Sequence, residues 1–109
     1  MKSVHVTARC PIRTTLELIG GKWKLLIMFQ LKDEAKRPSE LKTLIPDISE
    51  KMLLQELKLL VDSGLVKRIN YGEVPPRVEY QLRPIGFKAL PILKEMKTFA
   101  DHYEKTLND

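Results

Sequence analysis

Apolar residues recur at helical spacing along the first part of the chain. A first helix is expected to begin at Cys10-Pro11, because proline fits a first helical turn, where its missing N–H is not needed. Its apolar stripe is Ile12, Leu16 and Ile19, and Gly20-Gly21 ends it. A second helix is expected from Lys22 to Lys32. Its apolar residues nearly surround the helix, which predicts a central, buried position; they are Trp23, Leu26, Ile27, Phe29 and Leu31.

Two further helices follow, with a short break between them. Ser39 can cap a helix from Glu40 to Leu44, and Pro46-Asp47 ends it. Leu41, Leu44 and Ile45 are expected to face inward. Ser49 can cap the next helix, which runs to about Ser63 before Gly64. At about 100° per residue, its core face consists of Leu53, Leu54, Leu57, Leu60 and Val61.

The pattern then changes from helical to alternating. Strands are expected from Leu65 to Tyr71 and from Arg77 to Leu82, joined as a hairpin by the tip at 72–76. A last helix is expected from Pro84 to about Thr106, bent where Pro91 removes a hydrogen bond. Its long apolar stripe is Leu90, Leu93, Met96, Ala100, Tyr103 and Leu107. This order predicts a mostly helical fold with a small β-hairpin, a winged helix-turn-helix.

The length of 109 residues fits one domain and leaves little room for a second. Within it, residues 10–83 are predicted to form the winged-helix core and residues 84–107 a dimerisation helix. A chain this short buries a modest core, so pairing with a copy of itself is a natural source of further burial. No apolar run is long enough to cross a bilayer, and the first residues lack the apolar stretch of a secretory signal. We therefore expect a cytoplasmic protein.

Charge and candidate chemistry narrow the function. The formal net charge is +5, and the basic excess avoids residues 89–109. A basic surface favours a polyanion by releasing its counterions, although many ordinary surfaces are mildly basic. The single cysteine excludes an intrachain disulfide, and neither His5 nor His102 has a ligand partner at useful spacing. Because no phosphate loop or nucleophile–base pair is recognisable, we expect no cofactor, no metal and no enzymatic activity.

The short helix, the turn at Pro46-Asp47 and the longer capped helix form a helix-turn-helix arrangement. In such a unit the second helix enters the major groove of DNA. The residues that point away from its core are Lys51, Met52, Gln55, Lys58 and Leu59, and the predicted DNA contacts are Ser39, Ser49, Lys51, Met52, Gln55 and Lys58. Gln can bond adenine, Lys can reach guanine or phosphate, and Met can touch a thymine methyl. The alternative is a solvated helix face with one exposed methionine.

The hairpin that follows is placed to act as a wing. Arg77 is the wing cation best placed to enter a narrow minor groove. Alternatively, it forms a salt bridge with Glu79 or Glu73 at the strand edge. Lys22 and Lys24, at the start of the second predicted helix, are predicted phosphate contacts, with simple solvation as the alternative.

Four segments carry a resemblance to a known family. They are Leu18-Ile19-Gly20-Gly21-Lys22-Trp23, Ser39-Glu40-Leu41, Ile48-Ser49 to Leu57, and Glu73-Val74-Pro75-Pro76-Arg77-Val78-Glu79-Tyr80. In this order they resemble the HxlR family of bacterial winged-helix regulators, over roughly Cys10 to Leu93. The resemblance implies a homodimeric transcription factor. A dimeric DNA-binding regulator is in turn expected to bind a dyad-symmetric site in double-stranded DNA. The resemblance also implies that the helix from Ser49 reads the operator, that the Arg77 loop is the wing, and that the N-terminal segment and the last helix form the dimer interface. The predicted dimer contacts are Leu90, Leu93, Met96, Ala100 and Tyr103.

Cys10 supports two interpretations. It precedes a helix N-terminus and lies close in sequence to Arg9 and Arg13, and both the helix dipole and the cations favour a thiolate. The resemblance adds that a cysteine is common at this position and that some family members use it as a sensor. Cys10 is therefore either a thiol whose reaction with oxidants or electrophiles alters DNA affinity, or a packed, unreactive thiol near the dimer interface.

The lead hypothesis is a sequence-specific DNA-binding regulator. The alternative is a winged-helix protein-interaction module that does not read a DNA sequence. Such a module should expose an apolar patch where a DNA-binding protein exposes cations. Met52 and Leu59 favour that alternative, whereas Lys51, Gln55 and Arg77 favour DNA.

Overall fold

The computed structural model describes residues 10–108, and within them six helices and two strands. Their bounds are α1 Pro11–Ile19, α2 Lys24–Gln30, α3 Pro38–Leu44, α4 Glu50–Asp62, β1 Val66–Asn70, β2 Val78–Leu82, α5 Pro84–Phe87 and α6 Leu90–Asn108. This order confirms the predicted winged helix-turn-helix with a small β-hairpin. Arg9 and the rest of the predicted N-terminal dimer segment before Cys10 lie outside the described residues.

Local side-chain chemistry sets the ends of two helices as predicted. The Oγ of Ser49 accepts a hydrogen bond from the Met52 N–H at 3.1 Å, which confirms its role as the cap of α4. Gly64 follows that helix with φ 82°, a left-handed backbone that favours glycine and ends the helix. Cys10 precedes α1, and its sulfur accepts a hydrogen bond from the Arg13 N–H at 3.3 Å.

The helices α2 and α3 begin at other residues than predicted. α3 begins at Pro38 rather than Glu40, and its N-cap is Arg37 rather than Ser39. Proline fits a first helical position, and the Glu40 carboxylate accepts a hydrogen bond from the Arg37 N–H at 2.8 Å, so the helix end needs no serine. α2 is shorter than predicted, because it begins at Lys24 after the N-cap Trp23 and ends at Gln30.

The core lies where α2, α3 and α4 meet the hairpin. Its fully buried side chains are Ile27, Met28, Leu31, Leu41, Ile48, Leu53, Leu57, Leu60 and Val66. The predicted core face of α4 is thus confirmed at three of its leucines, and Val61 is half-buried. It is wrong at Leu54, which is 44% exposed. Leu54 lies three residues after Lys51 and four before Lys58, so it shares their outward face.

Two other inward assignments are wrong. α2 is not buried all round, because Leu26 and Phe29, three residues apart, share an exposed face along an open groove toward α6. Leu44 is exposed at the end of α3, where Leu41 and Ile45 already occupy the core side of this two-turn helix.

The hairpin and the segment before α3 form one hydrogen-bonded unit. β1 and β2 pair antiparallel with Val66 opposite Leu82 and Asn70 opposite Val78. On the other edge of β2, the Lys36 N–H donates to the Tyr80 carbonyl at 2.9 Å, and the Tyr80 N–H donates to the Lys36 carbonyl at 2.8 Å. This bridge fixes the start of the helix-turn-helix against the wing.

The predicted single, bent C-terminal helix is wrong. The structure has two helices here, α5 and α6, separated at 88–89. Pro91 is the second residue of α6, where its missing N–H costs no hydrogen bond, so it begins a helix instead of bending one. Leu90 and Leu93 pack half-buried against the core, and no side chain of α6 is fully buried. Between residues 10 and 108, no helix is both long and apolar enough to span a bilayer.

Candidate nucleic-acid interface

The turn between α3 and α4 is held at both ends. The buried Ile48 anchors it in the core, and the Ile48 N–H donates to the Ile45 carbonyl at 3.2 Å. The ammonium of Lys42 donates to the Pro46 carbonyl at 2.7 Å. These contacts fix the first turn of α4 relative to α3, which is what a helix must have to enter a groove in one orientation.

The outward face of α4 carries most of the predicted DNA contacts. Lys51, Gln55 and Lys58 are exposed, whereas Met52 is half-buried and packs against the core. The ammonium of Lys58 already has a partner, because it donates a hydrogen bond to the Asp62 carboxylate at 2.9 Å. This hydrogen bond raises the pKa of Lys58. Among the polar side chains of this face, Lys51 and Gln55 are therefore the two that have no ion-pair or hydrogen-bond partner within residues 10–108.

Ser49 stands at the start of the same helix. Its oxygen is used as the helix cap, but a hydroxyl that accepts one hydrogen bond still has a proton to donate. It can therefore cap α4 and donate to a phosphate or base acceptor at once.

Three side chains at the base of the wing form a connected group. The Arg77 guanidinium lies 3.9 Å from the centre of the Tyr71 ring. The Tyr71 hydroxyl donates to the Glu79 carboxylate at 2.7 Å, which raises the pKa of Tyr71 although the nearby Arg77 opposes this shift. The Glu79 carboxylate is bound by Tyr71, so the carboxylate that lies closest to Arg77 as an ion-pair partner is that of Glu73. Its Oε2 lies 4.0 Å from the Arg77 Nε. Val74, 96% exposed, forms the tip.

A cleft of about 500 Å³ separates the wing from the start of α3. Ser39 and Arg77, two of the predicted contacts, both line it. So does Arg37, which the sequence analysis missed. The pair Lys36-Arg37 just before a helix was the signal that could have found it. A second, smaller cleft of about 270 Å³ also includes Ser39 and reaches Glu50 at the start of α4.

The two lysines before and within α2 have different surroundings. Lys22 is exposed, with its ammonium 4.7 Å from the centre of the Trp23 ring. The Lys24 ammonium lies 2.9 Å from the Glu56 Oε2, and the two side chains are only 15% and 11% exposed. Lys24 is thus turned into the domain, where its ion pair ties α2 to α4. The structure does not bring Lys24 onto the surface that carries Lys51 and Gln55.

Apolar side chains remain exposed on α1 and α6. On α6 they follow at spacings of three or four residues. The large exposed apolar residues of the two helices are Ile12, Leu16, Leu18, Met96, Phe99, Tyr103 and Leu107. The rings of Phe99 and Tyr103 are stacked, with centroids 6.3 Å apart. The predicted dimer stripe is divided by the structure: Leu90 and Leu93 pack against the core of their own chain, and Met96, Ala100 and Tyr103 are exposed. Phe99, 71% exposed, was missed although its spacing to Met96 and Tyr103 is helical.

A short helix, a fixed turn and a longer helix, followed at once by an antiparallel hairpin, define a winged helix-turn-helix protein. The sequence profile of the family described as HxlR-like helix-turn-helix matches residues 18–108. The chain belongs to this family.

Individual relatives agree with this assignment. The chain is 47% identical over 94 residues to YkvN of Bacillus subtilis (strain 168), described as an uncharacterized HTH-type transcriptional regulator, and the match covers 86% of this chain and 80% of YkvN. It is similar to the solved structure of the redox regulator HypR in its oxidized form, at 39% identity and a TM-score of 0.77, over 85% of this chain and 96% of that one. The reduced form of the transcriptional regulator YodB from B. subtilis is 36% identical, with a TM-score of 0.74, over 86% and 93%.

Proposed function

We propose that the chain acts as a homodimer that reads a dyad-symmetric operator, with α4 in the major groove and the β1–β2 hairpin on the backbone or in the minor groove. Its membership of the HxlR-like family makes it a DNA-binding transcriptional regulator. One observation carries the arrangement of the contacts. Ser39 lines both the cleft beside Arg77 and the cleft that reaches Glu50, so one continuous surface runs from the wing to the start of α4.

The contacts on this surface have separate roles. Gln55 and Lys51 project from α4, where an amide can bond adenine in two places and an ammonium can reach guanine acceptors. Arg77 projects from the wing, where a cation can bind a backbone phosphate or be attracted to the deep negative potential of a narrow minor groove. Loss of a groove contact should change the choice of sequence, and loss of a backbone or wing contact should weaken binding to every sequence.

The experiment compares two duplexes of equal length, one selected by the protein from a random library and one scrambled. Fluorescence anisotropy is expected to show that Arg77→Glu weakens binding to both, whereas Gln55→Ala reduces the ratio between them. Arg83→Glu is the matched control, because Arg83 is exposed at the far end of β2, and this charge reversal should have a much smaller effect. Unchanged affinity of Arg77→Glu for both duplexes would show that the wing assignment is wrong.

A protein-interaction module is the second candidate, and one observation favours it. Leu54 and Leu59, each 44% exposed, give the outward face of α4 more apolar surface than base reading requires. Equal affinity of the native chain for the selected and scrambled duplexes, together with no effect of Gln55→Ala on either, would support this candidate.

The homodimer is proposed from the exposed stripe on α6. Met96, Phe99 and Tyr103 leave large apolar surface in water on a helix that buries nothing fully in its own chain. A copy of the same helix would cover it, and a two-fold dimer would place its two α4 helices on half-sites one or two helical turns apart. Sedimentation velocity at micromolar concentration should show a dimer, Phe99→Asp should shift it to monomer, and Lys105→Asp, on the opposite side of α6, should not. A native monomer under these conditions would contradict the proposal.

We propose that oxidation of Cys10 is the signal that changes DNA affinity. The chain's similarity to the redox regulator HypR supports this, and Cys10 is the only cysteine of the chain, positioned as the cap of α1. Hydrogen peroxide would oxidise the thiol to sulfenic acid, with release of one water molecule. The Cys10 thiol of a second chain could then attack the sulfenic acid, which releases a second water and forms an intermolecular disulfide. Cys10 is 5% exposed, so the reaction requires local opening of the α1 terminus.

Gel shifts of the native protein and Cys10→Ser, each with and without peroxide, test this signal. The native protein should change its DNA affinity on oxidation and the variant should not. Equal responses in both proteins would exclude Cys10 as the sensor and leave the packed, unreactive thiol as the correct interpretation.

A further inference from the structure

The cleft between the wing and α3 contains a feature that the DNA-contact assignments do not use. The residues that line it include two arginines, Arg37 and Arg77, and one acidic residue, Glu73. Pro38, Pro75 and Pro76 make up part of the remaining wall, and these residues contribute no side-chain charge. The cleft therefore has an excess of positive charge in a concave site, where fields are stronger than on a flat surface.

The backbone holds the two arginines in a fixed relation. Lys36 and Tyr80 exchange two backbone hydrogen bonds of 2.9 and 2.8 Å. In this antiparallel bridge Arg37 is one residue from Lys36, and Arg77 is three residues from Tyr80 in the direction of the wing tip. Both arginines are thus attached to one hydrogen-bonded unit, so their separation does not depend on a flexible loop alone.

Hydrogen bonding inside the cleft is incomplete. The Nε of Arg77 is buried and has no hydrogen-bond acceptor among the described residues, since Glu73 stays at 4.0 Å. The ring of Tyr71 lies against one face of the guanidinium and restricts its orientation. A buried N–H donor without a partner costs free energy, and a ligand with acceptor oxygens would remove that cost.

We propose that Arg37 and Arg77 hold one backbone phosphate of the bound duplex between them, and that Glu73 weakens this contact by competing for Arg77. The inference deepens the proposed function and rests on it. Guanidinium groups bind phosphate oxygens through two parallel hydrogen bonds, and the Nε of Arg77 is a donor without a partner among the described residues. The volume of about 500 Å³ is sufficient for a sugar-phosphate unit. Arg37 thereby becomes a DNA contact that sets the position of the wing without reading sequence.

The test measures binding of the selected and scrambled duplexes over a range of salt concentrations. Arg37→Gln should lower affinity for both duplexes by a similar factor, on the order of tenfold at low salt. It should also reduce the slope of log affinity against log salt by up to about 0.9, the value for one released phosphate contact. Arg83→Gln is the matched control and should leave the slope unchanged. Glu73→Gln should raise the affinity about two- to threefold, since it removes a competing surface charge.

A double-variant cycle tests whether the phosphate is shared. If both arginines hold one phosphate, the affinity loss of Arg37→Gln combined with Arg77→Gln should be smaller than the product of the two single losses. Strictly multiplicative losses would show two independent contacts and overturn the shared site. Arg37→Lys keeps the charge but loses the two parallel hydrogen bonds. It should therefore keep most of the slope of log affinity against log salt but only part of the affinity. This variant also provides a measurement of the phosphate contact if Arg37→Gln folds poorly.

The two levels of the proposal fail in different ways. If the native chain shows no preference for the selected duplex, the proposed function itself is wrong. If the native chain and Gln55→Ala behave as expected while Arg37→Gln matches Arg83→Gln, only the phosphate site is wrong.

Discussion

Replacing Lys24 by methionine should destabilise the fold rather than remove a DNA contact. Lys24→Met leaves the Glu56 carboxylate, 11% exposed, in the interface of α2 and α4 without its partner at 2.9 Å. Breaking a buried ion pair from one side costs about 3–5 kcal/mol. Since a little water still reaches this pair, the lower end, about 3 kcal/mol, is expected for the free energy of unfolding. For a domain of this size, that corresponds to a fall in Tm of roughly 10–20 °C.

The matched variants separate charge from packing. Glu56→Leu should cost less, about 1–2 kcal/mol, because the freed ammonium of Lys24 can extend along its apolar stem to water. The double variant Lys24→Met/Glu56→Leu replaces the pair by apolar groups and should lie within about 1 kcal/mol of the native protein. Urea denaturation followed by circular dichroism measures all four proteins. The reasoning is refuted if Lys24→Met leaves the unfolding free energy unchanged within about 0.5 kcal/mol while the salt slope of DNA binding falls by about 0.9.

Three further predictions concern the helix ends and the wing. Ser49→Ala should lower the unfolding free energy by about 1 kcal/mol through loss of the cap on the Met52 N–H, and Ser49→Asp should restore it; an unchanged midpoint in denaturant would contradict this. Gly86→Ala should lower the unfolding free energy by about 1–3 kcal/mol, since a methyl there would lie 2.7 Å from the Leu65 carbonyl oxygen and 2.5 Å from a Leu82 methyl. An unfolding free energy equal to that of the native protein would show that α5 can move away from the hairpin without cost. Because the hydrogen bond to Glu79 raises the pKa of Tyr71 from its usual 10.0, its stabilisation of the wing should be complete below pH 10 and should be lost as the pH rises through the raised pKa. Ultraviolet titrations of the native protein and of Tyr71→Phe should differ by one tyrosine that ionises above pH 10. A difference curve without this ionisation would refute the hydrogen bond between Tyr71 and Glu79.

Much of the fold could be read from local patterns. The caps at Ser49 and Gly64 depend on chemistry within three or four residues, and both were predicted correctly. The core leucines of α4 repeat at the helical period, so Leu53, Leu57 and Leu60 were also assigned correctly. The hairpin was recognisable because its strands alternate and its loop contains the prolines.

The errors occurred where a local pattern allows two outcomes. Leu54 and Leu44 lie at the margins of apolar stripes, and whether a marginal leucine is covered depends on which element packs there. Pro91 can bend a helix or begin one, and the break after Phe87 decided the second. The pair Arg37 and Glu40 replaced Ser39 as the source of the capping hydrogen bond, although both arrangements are compatible with the sequence.

The candidate site divides in the same way. The sequence alone was sufficient to predict the elements up to the hairpin and their order, the outward position of Lys51 and Gln55 on α4, and the family to which the motifs belong. These features depend on residues close together along the chain. The three-dimensional structure was needed to show that Lys24 pairs with Glu56 and that Arg37 and Arg77 share a cleft. It was also needed to show that Phe99 and Tyr103 are not covered by their own chain. The two contacts join residues far apart in sequence, and the exposure of α6 depends on which element packs against it. Burial and ion pairing depend on distances through space, which periodicity and spacing along a chain do not specify.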